Sequence, residues 1–279
     1  MVVLAALLAL SGLWRPPAPP SRLVTGARRL ITACAQSHHE PRLLLTSAGL
    51  TTPELRSSFF NMLRGASAPG ATPRIAMLVT AQMAPSGTPS KRSPGELRRR
   101  RWTTAVKNAR EIEKELGVEV ECIDCARDAD DIELPLTSAE CIWVTGGNTF
   151  FLWHHMQRRG VDELVRRRVL DEGALYVGQS AGSIVAGATA RTALWKGWDD
   201  PKAGGALEEV EWTDEKLRCM GLVPKRAFFP HYGAQWDALV EERRGELGRS
   251  VELVCLSDDG KGVYVSGEEA TDAENEDES

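Results

Sequence analysis

Short apolar runs and longer amphipathic stretches alternate along most of this chain of 279 residues. The apolar runs have the length and the β-branched content of buried strands, and they cover residues 43–45, 74–80, 118–122, 141–145 and 175–177. The spacing of apolar positions between them predicts helices at about 52–64, 96–116, 150–160 and 162–171. Strands that alternate with helices predict an α/β fold, a three-layer sandwich whose mostly parallel central sheet is covered by helices on both faces.

The sequence changes character near both ends, and these changes predict the domain boundaries. Residues 1–39 contain arginines but no acid, and they begin with the apolar stretch MVVLAALLALSGLW, which is too short to span a bilayer. This mixture favours an organellar leader for a plastid or mitochondrion, with a disordered extension, a secretory signal or a cytoplasmic location as alternatives. Residues 268–279 are rich in acids and hold no base, which predicts a disordered tail. Residues 40–267 are then expected to form one α/β domain.

Composition narrows the classes of partner and cofactor. The net charge is −5, and because the tail is strongly acidic, the predicted domain is close to neutral. No nucleic-acid or membrane partner is therefore expected. The six cysteines lack the spacing of a disulfide scaffold. Cys122 and Cys125 form a C-x-x-C motif, but no second pair completes a four-thiolate zinc site, so we expect reduced thiols and no metal.

A serine stands between two glycines in the segment LYVGQSAGSIVAG, residues 175–187. An apolar strand pattern precedes Gly178, and an apolar helical pattern follows Gly182. A G-x-S-x-G motif in this strand–turn–helix context is typical of a nucleophile elbow, where the tight turn requires the glycines and exposes the serine hydroxyl. Ser180 is therefore the candidate nucleophile.

A serine hydroxyl needs a base within hydrogen-bonding reach and a carboxylate that orients the base. Among the histidines, His231 is the candidate base, because it follows an apolar strand and a proline in AFFPHYG. Asp199 and Asp200, in WKGWDDP, are the candidate acids. Developing negative charge on the substrate also needs backbone N–H donors, which Ala181 and the Gly-Gly pair of TGGNT at 145–149 can supply.

Four segments resemble one known family. LLLTSAGL, WVTGGNTFFL, LYVGQSAGSIVAG and FFPHY occur in order over roughly residues 42–265. Together they resemble the serine peptidase family of aspartyl dipeptidase (peptidase E) and cyanophycinase. The resemblance implies a fold like that of class I glutamine amidotransferases, with Ser180 as nucleophile, His231 as base, Gly147 and Ala181 as oxyanion donors, and Asp199 as the third triad member.

The chain departs from the family pattern at two places. The extra residues LWKG precede the aspartates, which leaves Asp200 as an alternative to Asp199. Cyanophycinase-like members use a later acid, for which LSDDGKG offers Asp258 and Asp259. Aspartyl dipeptidase binds the acidic side chain of its substrate with an arginine that follows the catalytic histidine, and Arg243 and Arg244 are the candidates for that role here.

The function that the sequence predicts is hydrolysis of short peptides by a serine-type dipeptidase. The resemblance implies a small peptide substrate, with N-terminal aspartate as the first choice, and the mechanism requires no cofactor. An esterase of the α/β-hydrolase type and a catalytically silent binding protein of the same fold are the alternatives. The sequence leaves open whether the protein is a monomer or a homodimer.

Overall fold

Strands and helices alternate along the chain as the sequence predicts. The computed structural model describes residues 41–128, 131–260 and 264–265; the predicted leader (1–39) and acidic tail (268–279) lie outside these residues. The strands are β1 (Leu43–Thr46), β2 (Arg74–Leu78), β3 (Glu119–Ile123), β4 (Cys141–Val144), β5 (Leu175–Gln179), β6 (Arg226–Tyr232), β7 (Glu252–Ser257) and β8 (Tyr264–Val265). The α-helices are α1 (Pro53–Ala66), α2 (Pro94–Leu116), α3 (Glu133–Ser138), α4 (Thr149–Arg158), α5 (Val161–Leu170), α6 (Ala181–Ala186) and α7 (Asp237–Arg243).

Six of the strands form the central sheet, in the order β3-β2-β4-β5-β1-β8. The pairs from β3 to β1 are parallel, and β8 joins β1 in the antiparallel direction. The predicted mostly parallel sheet is therefore confirmed. Strands β6 and β7 form a separate parallel pair.

Successive side chains of a strand point to opposite faces of the sheet, and both faces are buried here. In β1, Leu43 and Leu45 belong to the core cluster that includes residues of α4 and α5. Leu44 belongs to the opposite cluster, which includes residues of α1 and α2. Helices thus cover both faces, which explains why the sheet strands read as continuous apolar runs.

Helix boundaries follow from capping residues that the sequence contains. Ser93 accepts the N–H of Glu96 while the Glu96 carboxylate accepts the N–H of Ser93, a capping box that starts α2 just before Pro94. Gly117 ends this helix in the left-handed conformation at φ 65°. The expected helix of 96–116 is therefore confirmed to within one turn. No helix of the described ranges is long and apolar enough to cross a membrane.

Candidate active site

Ser180 lies in a sharp turn between β5 and α6. Its backbone angles are φ 50° and ψ −108°, outside the regions that non-glycine residues usually adopt. A Cβ atom on Gly178 would lie 2.9 Å from backbone atoms of Gly182, and one on Gly182 would lie 2.1 Å from the Val144 carbonyl oxygen. Both positions therefore require glycine, and the predicted strand–turn–helix elbow is confirmed.

His231 lies within hydrogen-bonding distance of Ser180, with 2.9 Å between Nε2 and Oγ. Its φ is 55°, and the register of β6 against β7 shifts between Phe229 and Tyr232, so the ladder is irregular there. A strained backbone persists only where its surroundings hold it.

Two side chains hold the backbone around His231 in place of regular ladder partners. The His231 N–H donates to Ser47 Oγ at 2.7 Å. Lys196 Nζ donates to the carbonyl oxygens of Pro230 and His231 at 2.6 and 2.7 Å. Burial lowers the pKa of Lys196 to about 8, so the amine is still mostly protonated at pH 7. Ser47 binds the backbone N–H of His231 and Lys196 binds its carbonyl oxygen, and together they hold the residue that carries the imidazole.

Asp258 is the carboxylate that contacts the second nitrogen of His231. Its Oδ1 lies 2.7 Å from Nδ1, and it also accepts the hydroxyl hydrogen of Ser47 at 2.5 Å. Burial raises the pKa of Asp258, but the hydrogen bonds from Ser47 and His231 outweigh it, so the pKa lies below its ordinary value. Ionised Asp258 favours the tautomer that carries the proton on Nδ1 and leaves Nε2 free to accept from Ser180.

This geometry corrects the sequence-based choice of Asp199 as the orienting acid. Asp199 Oδ2 instead accepts the N–H of Thr149 at 3.0 Å, at the N-terminus of α4. Burial raises the pKa of Asp199, and the bond from Thr149 offsets only part of that effect. Asp200 accepts the N–H groups of Lys202 and Gly204, in a turn of its own. Asp199 therefore connects the 195–200 loop to α4, and the Asp200 carboxylate stabilises the turn that follows.

Backbone N–H groups near Ser180 fit the predicted oxyanion donors. Gly147 has φ 134°, and a Cβ atom there would lie 2.4 Å from backbone atoms of Ala81, so glycine is required. A Cβ on the neighbouring Gly146 would lie 3.1 Å from Ser180 Cβ, which shows how closely this loop passes the elbow. Ala181 is the first residue of α6, where an N–H has no partner within the helix. The role of Gly147 and Ala181 as donors stays a prediction.

A cavity of 680 Å³ opens in front of Ser180 and His231. Gln82 lines it next to the Gly147 loop, where a Cβ atom on Gly147 would lie 2.8 Å from the Gln82 backbone nitrogen. Arg101 lines the cavity as well. The other lining residues include Ile184, Ala193, Lys196, Trp198, Asp199, Asp200 and Phe229.

Arg243 and Arg244, the predicted substrate-binding arginines, are not among the residues that line this cavity. They lie at the end of α7 and just after it, where Arg243 pairs with Glu246 and Arg244 with Glu241. Both arginines therefore contact neighbouring glutamates and lie outside the cavity lining. Arg101 of α2 does line the cavity; it is half-buried and donates to the Ala84 carbonyl oxygen.

Ser47 and Lys196 were missed as functional residues by reasoning from the sequence. Ser47 lies within LLLTSAGL, one of the segments that carry the family resemblance, but a serine after a strand carries no signal of its own. Lys196 lies in the extra segment LWKG, whose evident effect on the family pattern is to shift the alignment of Asp199 and Asp200. An insertion next to a candidate site is a signal that could have drawn attention to it.

We expect Ser47→Ala to lower kcat by about a hundredfold with little change in KM, because a displaced base loses its alignment with the nucleophile. The variant removes the acceptor of the His231 N–H and a donor to Asp258. Steady-state kinetics measures the effect. Ser67→Ala is the matched control, since it removes a half-buried hydrogen bond from the Ser67 hydroxyl to the Leu63 carbonyl oxygen at the end of α1. Equal kcat values for the two variants would contradict the positioning role of Ser47.

The thiols of the C-x-x-C motif are protonated at neutral pH because they are buried. Cys122 and Cys125 are free, and burial raises their pKa values to about 11 and about 12. Within the described ranges, no group of three or more histidine, cysteine, aspartate or glutamate side chains is arranged to hold a metal ion.

Comparison with known proteins gives a family and several relatives. The model of peptidase family S51 matches residues 98–273. The chain is 35% identical over 99 residues to the uncharacterised peptidase Lin0382 of Listeria innocua, covering 35% of this chain and 46% of that protein. It is 38% identical over 107 residues to peptidase E of Salmonella newport, covering 38% of this chain and 45% of that protein. The matched segments thus span less than half the length of these relatives.

Solved structures share the fold. A Listeria monocytogenes EGD-e protein superposes with a TM-score of 0.51 at 22% identity, covering 81% of this chain and 98% of that one. A peptidase from an acI-B1 Actinobacterium superposes with a TM-score of 0.54 at 17% identity, covering 80% of this chain and 82% of that one. At these identities the likeness concerns the arrangement of strands and helices.

Proposed function

The chain belongs to peptidase family S51, and we propose that it is a serine peptidase that hydrolyses dipeptides through a triad of Ser180, His231 and Asp258. The observation that carries this proposal is the unbroken hydrogen-bonded line from Ser180 Oγ through both nitrogens of His231 to Asp258 Oδ1. Such a line activates a hydroxyl that is otherwise a poor nucleophile at neutral pH.

Each group of the site has a step in the proposed reaction. Ser180 Oγ attacks the scissile carbonyl carbon while His231 Nε2 takes the hydroxyl proton. The N–H groups of Gly147 and Ala181 stabilise the negative charge that develops on the carbonyl oxygen. His231 then donates the proton to the leaving amine, and water releases the acyl group by the reverse sequence. Asp258 stabilises the imidazolium that forms in both halves.

The proton transfer sets the direction in which the substrate lies. His231 must protonate the leaving amine, so the residue after the scissile bond lies on the His231 side of Ser180. The residue before that bond then lies toward the Gly147 loop, where Gln82 and Arg101 line the cavity. The bounded volume of 680 Å³ suits a dipeptide better than a folded protein chain.

N-terminal aspartate is the residue that we propose before the scissile bond. Arg101 lines the cavity and donates to the carbonyl oxygen of Ala84, three residues after Ala81, which lies against Gly147. A guanidinium can bind both oxygens of a carboxylate. One bond to the Ala84 carbonyl oxygen fixes the guanidinium, which has further N–H groups to donate. Arg101 therefore takes the role for which the sequence suggested Arg243 and Arg244.

Hydrolysis of a dipeptide panel by the wild-type protein tests the proposed function. We expect hydrolysis of dipeptides with a free amino terminus, fastest for N-terminal aspartate. We expect acyl esters to be cleaved more slowly than these dipeptides. Efficient hydrolysis of esters alone would favour the esterase alternative. Failure to cleave any substrate, together with no labelling by a fluorophosphonate, would favour the silent binding protein.

Arg101→Met is expected to lower kcat/KM for Asp-Leu by about a hundredfold while changing that for Leu-Leu much less. The reason is that the substrate carboxylate loses its partner on entering a partly buried site. Arg244→Met is the matched control, because Arg244 is exposed and outside the cavity. A wild-type enzyme that cleaves Leu-Leu as fast as Asp-Leu would contradict the preference, and an unaffected Arg101→Met variant would exclude Arg101.

A further inference from the structure

Trp198 is an exposed aromatic side chain next to the proposed base. It is 61% exposed, and its ring centroid lies 5.9 Å from that of His231. The other large apolar side chain of the described residues with comparable exposure is Leu134, at 65%, which does not line the cavity. An exposed indole at the cavity wall contributes little to the core, so its position calls for another explanation.

The indole is held in a defined orientation. Trp236 packs against it edge to face at a centroid distance of 5.4 Å. Lys196 Nζ lies 4.6 Å from the centroid of the Trp198 ring and is itself fastened to the Pro230 and His231 carbonyl oxygens. Asp199, the next residue, is bonded to the N-terminus of α4. A fixed aromatic surface of this kind loses little conformational entropy when a ligand covers it.

Trp198 lies on the His231 side of the site, where the residue after the scissile bond is expected. The leaving amine must approach His231 Nε2, so the side chain of the residue after the scissile bond lies on the same side as Trp198. Phe229, Ile184 and Ala193 also line the cavity, but each is buried, so Trp198 offers the exposed apolar surface next to His231. The Lys196 amine and the Asp199 carboxylate line the cavity as well, and both already have hydrogen-bond partners in the protein.

We propose that the exposed indole of Trp198 forms a subsite for an aromatic or large aliphatic side chain on the C-terminal residue of the dipeptide. This proposal rests on the proposed function, and it adds the substrate class on the leaving-group side. Covering part of the indole removes apolar surface from water, and an aromatic side chain adds favourable edge or offset contacts. The subsite therefore selects Asp-Phe over Asp-Gly.

Kinetics on matched substrate pairs tests the subsite. We expect wild-type kcat/KM to be at least about tenfold higher for Asp-Phe than for Asp-Gly, and likewise for Ala-Phe over Ala-Gly. The two pairs share their N-terminal residue, so the ratio is independent of the preference at that position. Trp198→Ala should reduce both ratios severalfold, and Leu134→Ala is the control that should keep them.

A second measurement follows binding without turnover. Free phenylalanine, the amine product, should slow fluorophosphonate labelling of the wild-type protein more than glycine does, and Trp198→Ala should remove that difference. Equal ratios in wild type and Trp198→Ala, or equal protection by the two amino acids, would overturn the subsite. If no dipeptide is cleaved, the proposed function fails, and calorimetric binding of phenylalanine and of glycine to the wild type and Trp198→Ala still decides on the subsite.

Discussion

Ser180→Ala is expected to reduce peptide hydrolysis by on the order of a millionfold, to the level of the reaction without the triad. The hydroxyl is the atom that attacks the carbonyl, and the groups around it cannot replace it. The variant loses the hydrogen bond to His231 but keeps the glycines that the elbow requires. We therefore expect the fold to persist, which the melting temperature checks alongside the rate.

Residual activity decides this first prediction. A properly folded Ser180→Ala protein that keeps more than about a tenth of the wild-type kcat would show that another nucleophile acts. A parallel His231→Ala variant should lose activity to a similar extent, because triad members act as a unit.

Asp258→Asn is expected to lower kcat by at least about a thousandfold with little change in KM. An amide at this position favours the wrong tautomer of His231 and does not stabilise the imidazolium. Asp199→Asn should stay within about tenfold of wild type, because an amide oxygen can still accept the N–H of Thr149. Steady-state kinetics on one dipeptide compares the variants.

Asp259→Asn is the matched control for Asp258→Asn. Asp259 Oδ1 accepts the Ser257 hydroxyl at 2.5 Å, so Asp259→Asn changes the same charge one residue away. We expect it to behave almost like wild type. A severe loss for Asp199→Asn with a mild loss for Asp258→Asn would restore the assignment that the sequence favoured.

The elbow was predictable from the sequence because its determinants are adjacent in the chain. The close approach of Gly178 to Gly182 and of Gly182 to Val144 demands small residues at fixed spacing around Ser180. The strands were predictable for a similar reason, since a sheet buried on both faces requires continuous apolar runs. These features leave their mark on a few consecutive residues, even where the contacting residue, Val144, lies far away in the chain.

The orienting acid was not predictable in the same way, because it depends on the register between two strands. Tyr232 of β6 is paired with Ser257 of β7, which brings the next residue, Asp258, beside His231. Nothing in the sequence fixes that register. The resemblance therefore offered Asp258 only as an alternative, and Asp199, the acid that the sequence favoured, accepts the backbone N–H of Thr149 at a helix N-terminus.

Arg101, the arginine that we propose for substrate binding, was not predicted for a related reason. Arg243 and Arg244 are the candidates that follow His231 in the chain, but each pairs with a glutamate three residues away, Glu246 and Glu241. Arg101 lies far from the motifs in sequence, on a helix that reads as a solvated charged face. Proximity along the chain therefore indicates a candidate only where the intervening backbone is extended or tightly turned.

Mapping the site of fluorophosphonate labelling by mass spectrometry tests the central claim most directly. The reagent forms a stable bond with a serine hydroxyl only where a neighbouring base activates it. We expect one adduct on the wild-type protein, on Ser180, with loss of dipeptide hydrolysis in proportion to labelling. An adduct on another serine, or full labelling of Ser180 with hydrolysis unchanged, would contradict the assignment of Ser180, His231 and Asp258 as the catalytic groups.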